Sequence, residues 1–380
     1  MLWPAATEIR FDCLRRSAQH LYFLTAMSCV RHTILITLCA LGCGGREPAT
    51  AIDASTQIDA AGRPQEVLAS GRSNPGPIAL DETTVYFIDL SYQTQIDDGL
   101  VLAMPLGGGS IRTLASRQRS LSTLATDGTY VYWTTGTPCL GCVDGEVKRV
   151  LRNGGSSVEV LASAQNLPSS VLVANGYVYW TNQGRVSGSG TLNRLQLGGQ
   201  ASVEVLLPDS FAPTALAADA THLYWASCGS LADTMNGTAH YNSDGMIRSR
   251  PLAGGAVQTL ATGQPCPFNV AVTGSHVFWM NIGTAAQDFA DAGLMMVDLA
   301  GGAPSRVSSW QGMNVGMAAD ARSVYWMDVG VHEAAGSEWM PSLFADPGIA
   351  FGLSAYIAIN DTHLYFTTGV IDGSVRRAAR

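Results

Sequence analysis

Charge is scarce in this chain. Only 14% of its 380 residues are charged, and among 22 basic side chains there is a single lysine, Lys148. Four of the arginines (Arg10, Arg15, Arg16, Arg31) crowd into the first 42 residues, so the remainder is more acidic than the overall net charge of −8. With no basic cluster and no aromatic-basic stripe, the composition excludes DNA, RNA or an anionic lipid face as the main partner. Long helical patterns with Glu/Lys faces are missing too, and no apolar run is long enough to span a bilayer. Neither a Gly-x-Ser-x-Gly elbow nor a His-Glu-x-x-His pair occurs, which removes the commonest nucleophile and zinc-protease readings.

What remains is a chain of short apolar strands and turns, 47% hydrophobic with 41 glycines. Residues 33–42 form a ten-residue apolar run behind Arg31 and His32. That length suits the core of a secretory signal. The run ends in Ala40-Leu41-Gly42-Cys43, which resembles the lipobox of bacterial lipoproteins, where the cysteine is acylated and becomes the new N-terminus. Residues 1–42 are therefore expected to be a signal peptide. Met27 would give it a compact start, leaving 1–26 as an upstream mis-start. Residues 43–63, small, polar and unpatterned, read as the lipidated Cys43 and a flexible tether. Gly44 after the cysteine resembles the outer-membrane sorting pattern.

From residue 64 to 380 the sequence repeats itself. An apolar-aromatic-aromatic triplet recurs at Val85-Tyr86-Phe87, Val131-Tyr132-Trp133, Val178-Tyr179-Trp180, Leu223-Tyr224-Trp225, Val277-Phe278-Trp279, Val324-Tyr325-Trp326 and Leu364-Tyr365-Phe366. A period in the mid-forties predicts an all-β, seven-bladed β-propeller of four-stranded blades. Asp81, Asp127, Asn175, Asp219, Asp320 and Asn360 each precede the aromatic strand at a tight turn. The last unit stops after Gly373-Ser374-Val375-Arg376-Arg377, and the strand it lacks appears at Gln65–Ser70, a near copy of Glu159–Ser163. The N-terminal strand is thus expected to complete the seventh blade and close the ring. In the sixth unit, Glu338-Trp339-Met340-Pro341 breaks the third-strand pattern.

At Tyr132-Trp133-Thr134 and Tyr179-Trp180-Thr181 the repeat resembles the YWTD propellers of lipoprotein receptors, with Thr135 and Asn182 at the aspartate position. It is similar also to TolB-like periplasmic propellers. The resemblance implies fold, and through the YWTD family a protein-binding role. Those families mostly carry six blades where this chain counts seven.

Length variation concentrates in the loops between second and third strands, which emerge on one face of a propeller together with the blade-to-blade connections. Such a face is where binding normally resides. Every unit places a polar residue two positions past the second aromatic: Asp89, Thr135, Asn182, Ser227, Asn281, Asp328 and Thr368. These read as strand or turn caps, or as an inward ring of ligands. Asp-Gly pairs before the third strands, at Asp98, Asp144, Asp244 and Asp372, read as turn chemistry or as oxygen ligands for Ca²⁺. His240 and His332 fall on the variable face. Cys139, Cys142, Cys228 and Cys266 also fall there; in an oxidising compartment they read first as disulfides, with Cys228–Cys266 the natural long-range pair.

Two functional expectations follow. One is an envelope lipoprotein, a monomer without a cofactor, anchored only through its lipid and displaying a loop-built face to a protein or glycan. The other is a propeller enzyme of calcium-dependent lactonase or lyase type. Its metal in the central channel would be held by Asp89, Asn182, Asn281 and Asp328.

Overall fold

The computed structural model describes residues 64–90, 98–136, 143–184, 189–199, 202–209, 212–235, 238–284, 287, 289–309, 316–327, 330–336, 339–345, 356–369 and 373–380, with the backbone of Thr56–Ile58. Cys43, Cys139, Cys142 and Asp328 lie outside these residues, and for His240 only the backbone is described. Among the described residues there is no helix long and apolar enough to cross a membrane.

Seven antiparallel sheets form a seven-bladed β-propeller. Blade 1 runs outward through Pro75–Leu80, Thr84–Asp89, Gly99–Pro105 and Arg112–Gln118. The innermost strands of the remaining blades are Leu121–Thr126, Pro168–Ala174, Pro213–Ala218, Pro267–Val272, Met317–Ala319 and Ile357–Ile359. Each touches the next around the ring, and the seventh touches the first.

The aromatic triplet explains why the sheets assemble. Side chains alternate along a strand, so Val131 and Trp133 share one face while Tyr132 takes the other. Val131 and Trp133 pack backward onto Tyr86, Ile88 and Val101 of blade 1. Tyr132 packs forward onto Val178 and Trp180 of blade 3. The same exchange occurs at every junction, and the last joins Tyr365 and Val375 of blade 7 to Val85 and Phe87 of blade 1. The core is therefore seven separate interlayer clusters. Burying an aromatic ring and a β-branched neighbour at each stabilises on the order of several kcal/mol per junction.

Closure uses the N-terminal strand. Pro64–Arg72 pairs antiparallel with Gly373–Ala379, with Gln65 opposite Ala378 and Arg72 opposite Gly373. A further strand, Thr56–Ile58, pairs with Pro64–Glu66 at the outer edge. The polar stretch read as an unpatterned tether thus contains a short fifth strand of blade 7. Three residues are too few for periodicity to register in a sequence.

Inner strands are joined by hydroxyls. Ser122 Oγ donates to the Ser169 carbonyl (3.2 Å), Ser169 Oγ to the Pro213 carbonyl (3.1 Å) and Thr214 Oγ1 to the Pro267 carbonyl (3.0 Å). In return Thr123 Oγ1 accepts from the Val171 amide (2.9 Å) and Ser170 Oγ from the Leu216 amide (3.2 Å). These bonds satisfy backbone groups that inner strand edges would otherwise leave unmade.

Blade 6 departs from expectation. Its third strand is Val331–Ala335, and Met340–Ala345 is its fourth. His332, expected in a loop on the variable face, sits instead in that third strand opposite Trp326, its ring stacked on the indole at 5.4 Å. The third strand is introduced by Gly330 but follows the second almost at once, too soon for the usual loop between them to mark it in the sequence. Trp339, read as part of a weak third strand, precedes the fourth and packs edge-on against Phe278 of blade 5 at 4.7 Å.

Candidate binding face

The second strands end, and the third begin, on the face that also carries the blade-to-blade connections. The polar residues at second-strand ends are buried there: Asp89, Thr135, Asn182, Ser227, Asn281 and Thr368 are all less than 9% exposed. Their work is largely between blades. Gln165 at the end of blade 2 accepts, through Oε1, from Trp180 Nε1 (2.8 Å) and Asn182 Nδ2 (3.0 Å) of blade 3. Gln264 of blade 4 does the same for Trp279 (3.0 Å) and Asn281 (3.0 Å) of blade 5. Gln118 of blade 1 takes Trp133 Nε1 (3.2 Å) and Lys148 Nζ (3.5 Å) of blade 2. Each glutamine turns its own Nε2 onto the carbonyl two residues earlier, at 2.7–2.9 Å, which fixes Oε1 as the outward atom. Asp89 accepts from the Asn74 amide (3.1 Å) and faces Arg72 at 3.9 Å. Ser227 Oγ accepts from Arg248 (3.0 Å), and Thr368 meets Ser374 at 2.6 Å.

These positions are repeated around the ring; Asp89, Asn182 and Asn281 are tied to the preceding blade, while Ser227 and Thr368 bond within their own blades. Asp89, Asn182 and Asn281 come from blades 1, 3 and 5. Among the described residues no three His, Cys, Asp or Glu side chains gather closely enough to hold a metal ion.

The carboxylates before the third strands close the necks of the loops. Asp244 Oδ1 accepts from the Ser230 amide (2.8 Å) and Oδ2 from the Ser230 hydroxyl (2.6 Å). Asp291 holds Thr284 in the same way, at 2.8 Å for both bonds. The glycine before each hydroxyl residue makes this contact: Gly229 and Gly283 have φ of +113° and +86°, and a Cβ on Gly283 would lie 2.8 Å from the Asp291 carboxylate. This Gly-Ser/Thr…Asp pattern was present in the sequence, but only Asp244-Gly245 within it carries a recognised turn signal.

In blade 4 the neck supports a separate element. Leu231–Met235 and Thr238–Tyr241, the latter containing His240, pair as a two-stranded hairpin outside the blade sheet. Asn242 Nδ2 donates to Ser230 Oγ (3.0 Å), and the Asn242 amide to the Ser230 carbonyl (3.0 Å). Immediately before the neck, Cys228 is disulfide-bonded to Cys266, with Cα atoms 3.9 Å apart. The bridge runs from the end of the second strand of blade 4 to the entry of the innermost strand of blade 5. Both cysteines are 1% exposed.

Two further ion pairs lie on this face among the described residues. Lys148 meets Glu146 at 2.6 Å and Arg119 meets Asp144 at 3.4 Å. On the opposite face the tight-turn carboxylates bind twice over. Asp81 accepts through Oδ1 from the amides of Thr83 and Thr84 and through Oδ2 from the Tyr86 hydroxyl at 2.6 Å and Arg152 of blade 2 at 2.8 Å. Burial opposes ionisation of Asp81, but these donors outweigh it and hold its carboxyl below the ordinary value. Burial together with the Asp81 bond pushes the Tyr86 phenol up to about 12.

No family model and no curated protein matches this sequence. Its fold does find counterparts. A catalytically inactive virginiamycin B lyase from Staphylococcus aureus, solved with quinupristin, is 12% identical with a TM-score of 0.59, over 86% of this chain and all of that one. The WD40 repeats of RRP9 give 12% identity and 0.58 over 86% and 100%, and the computationally designed protein Ika8 gives 13% and 0.52 over 83% and 98%. At such identities the likeness shows the fold alone. The chain is a β-propeller repeat protein.

Proposed function

We propose that this protein is an exported bacterial envelope lipoprotein, anchored through Cys43, whose propeller presents the face described above to a protein or glycan partner. The carrying observation is the blade-4 hairpin. A two-stranded hairpin by itself is marginal in water, yet this one rises from a neck fixed by Asp244, Ser230 and Asn242 and from a disulfide at its root. Ordering a loop in advance lowers the entropy lost on binding, which is what a recognition element needs. A structural disulfide is also at home in an oxidising compartment, in keeping with the signal-like N-terminus. The Tyr-Trp-Thr steps support a YWTD-like ring, which on this reading acts as a monomer and without a cofactor.

The enzyme reading gains less support. Asn182 and Asn281 donate through Nδ2 to Gln165 and Gln264, although their Oδ1 atoms are buried without a hydrogen-bond partner, and Asp89 accepts from the Asn74 amide and faces Arg72. Those bonds hold blades together and give the side chains a structural role.

Two measurements test the proposal. Changing Cys43 to serine should leave the ring folded but move it from the membrane to the soluble fraction; retention in membranes would refute the lipid anchor. Replacing residues 231–241 by a short Gly-Ser connection should preserve melting temperature while abolishing binding on glycan arrays and in-cell crosslinking to envelope proteins. Unchanged binding would place recognition elsewhere.

A further inference from the structure

The closing junction differs from the three glutamine junctions in the polarity of the groups that face each other across it. Gln118, Gln165 and Gln264 occupy one register position, each opposite the glycine that begins its third strand: Gly99, Gly145 and Gly245. Arg72 stands in that position on the N-terminal strand, opposite Gly373. At the three glutamine junctions the outer strand offers an acceptor, and the following blade supplies donors, always including a tryptophan Nε1. At the closing junction the outer strand carries a guanidinium, which faces the Asp89 carboxylate as an ion pair at 3.9 Å. The following blade has Asp89 where blades 3 and 5 have Asn182 and Asn281, and Phe87 where they have Trp180 and Trp279. Three positions change together, and the polarity reverses.

We propose that this reversal is a key that directs the N-terminal strand to the closing junction and to no other. The hazard it answers is visible in the sequence: Gln65–Ser70 nearly repeats Glu159–Ser163, so the free strand has an almost equal claim on blade 2. Docked there, Arg72 would set buried donors against the Trp180 indole N–H and the Asn182 amide, and a buried donor without an acceptor is costly. Conversely, a glutamine-ended strand in the closing junction would give up the guanidinium that faces the Asp89 carboxylate. Each wrong pairing is penalised by chemistry at one position, while the apolar pattern alone would accept either. In a repeat protein, where strand exchange between units and between copies is the characteristic misfolding route, such a device confers a unique closed ring.

The test rewrites the key in the full chain. Converting Arg72→Gln, Phe87→Trp and Asp89→Asn together gives the closing junction the glutamine pattern. The variant should melt within about 5 °C of the parent, because its local bonds are remade. After denaturation and refolding at rising protein concentration, at least about half of the material recovered as monomer from the parent should appear instead as exchanged oligomers by light scattering. Recovery of monomer equal to the parent would overturn the proposal. Should the triple variant fail to fold, Gln165→Arg in the parent supplies a second test. It sets donors against Trp180 and Asn182 and should lower the melting temperature by about 5 °C. Adding Trp180→Phe and Asn182→Asp should restore most of it. A Gln165→Arg ring that melts like the parent, or one that the compensating pair does not rescue, would show that polarity at this position does not discriminate.

Discussion

Asp219 shows how much one side chain does in this fold. Its Oδ1 accepts from the amides of Thr221 and His222, and its Oδ2 from the Tyr224 hydroxyl at 2.7 Å. Burial works against its charge, but the Tyr224 bond and the two amides prevail and its pKa is lowered. Asp320 is lowered against the same burial cost by Arg380 and the amides of Arg322 and Ser323. A depressed carboxyl stabilises the fold above the unfolded value, about 3.9, and that contribution is lost as pH falls through the folded value. Melting temperature should therefore decline as pH is taken from about 5 to 3. Removing the whole group, Asp219→Ala, should cost about 2 kcal/mol at neutral pH. Asp219→Asn keeps the turn acceptor, as Asn360 does in blade 7. It should cost less than half as much and flatten the acid limb. Thermal melts of both variants across this range decide it; an acid limb unchanged in Asp219→Asn would refute the assignment. Blade 5 is a natural control: it has Phe278 in place of tyrosine, and Thr273 rather than aspartate caps the turn.

At the scale of elements, the recurring unit is a strand start that fits only glycine. A Cβ on Gly245 would come within 2.7 Å of the Gln264 carbonyl and 2.9 Å of the Cys228 carbonyl, and would run into the Pro267 ring of the next blade. Gly145 meets Pro168, and Gly373 meets Pro75, in the same manner. The glycines were legible in the sequence as strand introducers, but the prolines they accommodate were not, because the contact lies between blades. Gly245→Ala should lower stability by about 1–3 kcal/mol through overpacking, read from denaturant unfolding; an unchanged midpoint would mean that the blades can part there. The disulfide nearby is testable separately. Cys228→Ser should cost about 2–4 kcal/mol if the unfolded chain regains the entropy of the 38-residue loop. It should also make the hairpin segment 229–244 the first site of proteolysis. Equal cleavage in parent and variant would show that the neck bonds alone hold the hairpin.

For the molecule as a whole, closure decides stability. Deleting residues 56–72 removes both outer strands of blade 7 and exposes the edge of Gly373–Ala379. The truncated chain should aggregate or melt well below the parent, and a monomer with the parent's melting temperature would refute closure as a source of stability. The sequence by itself determined the number of blades, the strand order within them and the borrowed N-terminal strand. Those features are written in local periodicity and in repetition along the chain. It also marked Asp89, Asn182 and Asn281 as a repeated polar position, but could not say what they bond. Only the tertiary structure decided that their partners are Arg72, Gln165 and Gln264 on the outer strand of the preceding blade, with Asn74 in the connection that follows Arg72. It likewise moved His332 from a loop into a strand and stacked it on Trp326. The physical reason is common to both. Backbone conformation depends on neighbours in sequence, whereas the donor that meets a given acceptor depends on which surfaces the closed ring presses together.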